Sequence, residues 1–87
     1  MLDINTIDRF DRIATPFYYY DMDLFRKTVD HVAELAAEHD IKVHYAVKAN
    51  VERRLLEYIS GKGFGADCVS GNEVLHAHNC GFPAGKI

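Results

Sequence analysis

The chain has 87 residues, 48% hydrophobic and 26% charged, with a net charge of −3, a balance that is globular rather than disordered. Ten basic residues against 13 acidic ones exclude the clustered positive face of a nucleic-acid binder, and no apolar run approaches the roughly 18 residues of a membrane span. No signal-peptide core follows Met1, and Cys68 and Cys80 lack disulfide-framework spacing, which suits free thiols in a cytoplasmic protein.

Residues 1–14 mix charge with Ile4, Ile7, Phe10 and Ile13 and read as a short helical or irregular lead-in. In "TPFYYYD", Pro16 bars a helix interior and the aromatic run Phe17–Tyr20 predicts a strand. Asp21 is placed to cap the next segment. Leu24, Phe25, Val29, Val32, Ala33 and Ala36 recur at helical spacing, which predicts an amphipathic helix over 22–39. "KVHYAV" predicts a second strand. Asn50 is a candidate N-cap for a second helix carrying Leu55, Leu56 and Ile59 on one face, with Gly61 as its stop.

"GKGFGADCVS" is a glycine-rich turn running into a third strand, Ala66–Val69. "SGNE" has capping-box form, with Ser70 as N-cap and Glu73 at the third helical position. The third helix is expected over 72–80, ending at Gly81 with Pro83 beyond. "KI" stands where another strand would begin.

The order βαβαβα gives an α/β chain with parallel pairing and right-handed crossovers. Three parallel strands leave two open edges and an uncovered apolar face, whereas a closed barrel of this kind takes about 250 residues. The chain therefore reads as the incomplete opening portion of something larger. Its bare edges favour self-association, a non-catalytic alternative to an enzymatic role.

Lys48 closes the second strand in "HYAVKAN", two residues before Asn50. In parallel α/β folds chemistry gathers at the carboxyl ends of strands. Alternation puts Ala46 on the face of Lys48, and a small residue there leaves room for a flat ring. A partly desolvated amine has a lowered pKa and becomes a nucleophile for a carbonyl. A snorkelling strand-end lysine fits the same spacing. Asp67 sits in a strand, where aspartate is disfavoured; it either balances a cation at the mouth or bonds local backbone N–H groups. Glu73 is explained by its cap, although it too could reach a polar site.

Two other readings are weaker. Gly61, Gly63 and Gly65 follow a helix and precede a strand, the reverse of a dinucleotide-binding turn. Cys68, His76, His78 and Cys80 match no common zinc spacing. His31 and His39 read as solvated helix positions.

"TPFYYYD", "HYAVKAN", "GFGADCVSGNEV" and "GFPAGKI", in that order and spacing, resemble the alanine-racemase-like, fold type III PLP-dependent decarboxylases, and among them the diaminopimelate decarboxylase branch. The resemblance runs from Thr15 to Ile87. It implies the start of a PLP-binding (β/α)8 barrel domain: 1–14 as lead-in, 15–87 as the first strands and helices, and no C-terminal β-domain within these residues. It implies that Lys48 holds pyridoxal 5′-phosphate through an internal Schiff base. Ala46 would line the cofactor ring, Asp67 would lie near the ring and Lys48, and Glu73 would stand just behind. His44 and Tyr45 are left as strand packing.

Asn72 departs from the glycine usual in the family, and Val51 stands where proline or a small residue is common. The implied reaction is decarboxylation of meso-diaminopimelate to L-lysine by a cytoplasmic homodimer, with related ornithine- or arginine-type decarboxylases and racemases as neighbours. The phosphate loop, a ring-stacking histidine and a carboxylate for the ring nitrogen would all follow Ile87. The 87 residues alone are expected to be inactive and to bind PLP weakly.

Overall fold

The computed structural model describes residues 2–87. Its first helix, α1, spans Ile4–Phe10 and is capped by Asp3, whose carboxylate accepts from the Thr6 N–H at 2.8 Å. It buries none of its own residues; Phe10 meets the rings of Phe17 and Tyr19 with centroids 5.3 and 5.2 Å away.

The strand expected at Phe17–Tyr20 is not formed. Tyr18 and Tyr20 stack with ring centroids 6.4 Å apart, but no described residue supplies a ladder partner. Tyr18 is 88% exposed. Aromatic composition supplies a tendency to extend, and only a neighbouring strand turns that tendency into sheet.

The second helix, α2 (Met22–Glu38), begins as expected at Asp21, whose Oδ1 accepts from the Leu24 N–H at 3.0 Å. It stops in a left-handed residue, Asp40 (φ 53°), with the Ile41 N–H reaching back to the Ala36 carbonyl at 2.8 Å. That is a Schellman closure with aspartate in the place usually held by glycine.

Strand β1 covers only His44–Ala46; a single 3₁₀ turn, Val47–Ala49, replaces the rest of the expected strand. Helix α3 runs Arg53–Gly61, β2 is Gly65–Asp67, α4 is Gly71–Asn79, and a last 3₁₀ turn covers Ala84–Lys86. The expected three strands are thus two among the described residues, and the later one starts and ends earlier than "Ala66–Val69". Asn50 does not cap α3 directly. Its Oδ1 accepts from the Glu52 N–H at 2.9 Å, two residues early, and Glu52 holds the cap position without a side-chain bond. Gly61 is the last helical residue rather than the stop; the left-handed glycine is Gly63 (φ 88°).

The strands pair in parallel with His44 opposite Gly65, Tyr45 opposite Ala66, and Ala46 opposite Asp67. Alternation turns Tyr45 and Ala66 toward the helices and leaves His44, Ala46, Gly65 and Asp67 on the other face. The core gathers Val29, Val47, Leu56, Ile59, Ala66, Ala77, Cys80 and Phe82. Helix α2 is tied to α3 by Tyr58, whose hydroxyl donates to Asp30 Oδ1 at 2.6 Å while the Lys62 ammonium sits 3.0 Å from the same oxygen. Among the described residues no helix is long and apolar enough to cross a membrane.

Candidate functional site

The carboxyl ends of β1 and β2 lie side by side, since parallel pairing brings both tips to one end of the sheet. Ala46 is the last residue of β1 and Asp67 the last of β2, and the register sets them opposite each other. Asp67 is exposed.

One residue past Ala46 the chain leaves the strand. Val47 plunges fully into the core, and Lys48 follows it on the 3₁₀ turn, exposed rather than desolvated as its sequence position suggested. Strand alternation therefore no longer sets the direction of Lys48; the turn does. Ala46 and Lys48 share a strand tip rather than a strand face.

Two carboxylates collect at the β2 tip, Asp67 and Glu73. Their proximity, after burial, is what holds the Cys68 thiol above its ordinary pKa. Glu73 is half-buried, and its Oε1 accepts from the Val69 N–H at 3.0 Å while its own N–H donates to Ser70 Oγ at 3.2 Å. The reciprocal cap thus reaches one residue further back than a capping box, and the carboxylate braces the turn that carries the chain away from β2. A cleft of about 670 Å³ beside β2 is lined by Asp67, Cys68, Val74 and His78 among others; Ala46, Lys48 and Glu73 are not among its walls.

The segment following Lys48 is held by side chains whose sequence positions suggest only packing or surface. The Tyr45 hydroxyl donates to the Asn50 carbonyl at 3.0 Å. Burial raises the Tyr45 pKa, so the phenol remains a donor at neutral pH. The Asn50 amide reaches the Tyr20 hydroxyl at 3.4 Å. His76, on α4, places Nε2 2.7 Å from the Val51 carbonyl oxygen. A carbonyl oxygen only accepts, so that nitrogen carries the hydrogen. No sequence signal marked His76 for this: the partner is 25 positions away.

The four residues considered for zinc separate into two pairs. His76 Nε2 lies 3.7 Å from Cys80 Sγ, whereas Cys68 and His78 line the cleft beside β2. Among the described residues no three of His, Cys, Asp or Glu converge as metal ligands. The "GKGFG" segment links α3 to β2, ending the helix at Gly61, turning at Gly63 and opening the strand at Gly65; the Lys86 ammonium donates to the Gly63 carbonyl at 3.0 Å.

Residues 22–87 match the family model described as pyridoxal-dependent decarboxylase, pyridoxal binding domain. A diaminopimelate decarboxylase of Bacteroides thetaiotaomicron is 47% identical over 100% of this chain and 23% of its own length. Proteins of the same name from Helicobacter pylori (34% identical, 95% of this chain, 20% of the relative) and Campylobacter jejuni (37%, 84% and 18%) are also similar. The chain therefore spans about a fifth of the length of these relatives. No solved structure matches it significantly.

Proposed function

The chain belongs to the pyridoxal-dependent decarboxylase family, and from that membership we propose that it forms the cofactor-binding opening of a diaminopimelate decarboxylase. The reaction is release of carbon dioxide from meso-2,6-diaminopimelate to give L-lysine, a step of lysine biosynthesis. The site belongs to a (β/α)8 barrel with a C-terminal β-domain, in a cytoplasmic homodimer, and the 87 residues by themselves are inactive. The names carried by the relatives favour diaminopimelate over ornithine, arginine or racemase substrates.

The observation that carries the site assignment is the strand-tip geometry. Lys48 stands one turn beyond β1, and Ala46 faces Asp67 across the paired tips. The residues fit pyridoxal 5′-phosphate. An exposed primary amine is available to an aldehyde, a methyl side chain beside it leaves space for a planar ring, and carboxylates on the neighbouring tip complement a cation.

When bound, the cofactor supplies an electron sink for the pair left by departing carbon dioxide. Lys48 would hold it covalently and Ala46 would bound the ring. Asp67 would set negative charge against the lysine and the ring, and Glu73 would hold the β2 turn in place behind it. Borohydride reduction of the cofactor-loaded intact protein, followed by peptide mapping, should put the label on Lys48, and Lys48→Ala should abolish it. A label on another lysine would sink the assignment.

A further inference from the structure

The geometry points to His76 as a positioning residue for Lys48, acting together with Tyr45 through the backbone of the lysine-bearing turn. The inference rests on the reading of Lys48 as the cofactor lysine and adds what aims it.

After the single 3₁₀ turn, Asn50 is extended at φ −162°, ψ 127°, and Glu52 sits at φ −59°, ψ 124° before α3. This stretch has no ladder partner among the described residues, so sheet bonding does not fix its peptide planes. The two consecutive carbonyls here are gripped from different elements: that of Asn50 by the Tyr45 hydroxyl on β1, that of Val51 by His76 on α4.

Holding both stops the segment from rotating about its own axis. At the other end of the turn Val47 is buried without remaining exposure. Lys48 is therefore the mobile side chain on a backbone pinned before and after it, and its exposed amine inherits a fixed starting direction. His76 itself does not reach Lys48; its influence passes through the Val51 peptide. The Nε2–H tautomer that this requires is a property of the protein before any cofactor arrives.

Two measurements test the assignment. In the intact, unaltered protein, ¹⁵N-resolved imidazole spectra should show a proton on His76 Nε2; an unprotonated Nε2 would overturn it. In parallel, Lys48 labelling by pyridoxal 5′-phosphate and borohydride is timed by intact mass. His76→Phe, which removes the donor and keeps the ring, should slow labelling roughly fivefold, the population change worth about one ordinary hydrogen bond. His76→Gln, whose amide N–H can reach the same carbonyl, should label within about twofold of the parent, a rescue that mere space-filling would not give. Equal rates for His76→Phe and the parent, or equal slowing in both variants, would overturn the proposal. If the parent protein takes no label at Lys48, the cofactor reading itself falls and takes this role with it, whatever the tautomer.

Discussion

Gly65→Ala offers the sharpest test of the sheet that carries the site. Gly65 lies opposite His44 in the ladder, and an added Cβ would land on the His44 ring and 2.8 Å from the Lys86 carbonyl oxygen. The ring is the far end of a side chain and can swing away. The carbonyl belongs to the closing 3₁₀ turn, where Lys86 N–H bonds Pro83 O at 2.8 Å, so moving it breaks local structure. Overpacking of this kind costs about 1–3 kcal/mol, and a central value near 2 kcal/mol is expected here.

With a urea dependence of roughly 1–1.5 kcal/mol per molar for a unit of this size, the unfolding midpoint should fall by roughly 1.3–2 M. The assay is equilibrium urea unfolding of the 87-residue chain at low concentration, followed by circular dichroism. In the double variant His44→Ala, Gly65→Ala the ring is gone and the Lys86 carbonyl is not, so about half the loss should return as a non-additive coupling. A Gly65→Ala midpoint equal to the parent's would refute the close approach of β2 to both neighbours, and strict additivity would remove His44 from the argument.

The Asp30 carboxyl is held below its usual range, first by the Tyr58 hydroxyl and then by Lys62. A depressed carboxylate stabilises above its unfolded pKa and loses that contribution as pH falls through the folded value. Asp30→Asn should therefore lower the midpoint at pH 7, and the gap should close progressively as pH falls below the ordinary carboxylate range near about 4; a gap that stays constant into acid would contradict the contact. At the alkaline end, Asp30 raises the pKa of both Tyr58 and Lys62, so the same difference should shrink as pH climbs past about 10–11. Ser70→Ala removes the Oγ that accepts the Glu73 N–H and should cost about 1 kcal/mol in the same urea assay. Iodoacetamide should modify half-buried Cys68 well before Cys80, which is only 4% exposed; mass-mapped labelling in the opposite order would count against the core. The isolated 87 residues should sediment as associated species at high concentration, since Leu2, Ile4, Ile7 and Ile13 are all exposed; a clean monomer would argue otherwise.

The legible features were local ones. Asp21, Ser70 and Gly81 could be read because a cap satisfies backbone groups within three or four residues of itself, and all three hold the expected places. Parallel pairing of the "KVHYAV" and "GADCV" strands also came from the helix-length crossover between them. Phe17–Tyr20 failed because no described residue pairs with it. The Lys48 strand was overextended because Val47 is apolar in either state: as the next pleat of a strand, or as the buried first residue of a turn.

Phe82, 1% exposed, was missed although a signal existed. Its N–H bonds the Ala77 carbonyl at 3.1 Å and Gly81 N–H bonds His78 at 3.1 Å. That is a Schellman pair, whose next residue is commonly apolar and packs back on the helix. Tyr45 and His76 could not have been found by pattern, since each donates to a carbonyl and any residue offers one.

The grip on the Val51 carbonyl comes from a side chain 25 positions later in the chain. During translation at about 5–20 residues per second, the lysine-bearing turn leaves the ribosome roughly one to five seconds before the histidine that steadies it. Until α4 folds back, the amine at position 48 is just another flexible cation on a nascent chain. The fixed direction proposed for that side chain would therefore be acquired late in synthesis, when α4 packs against the turn.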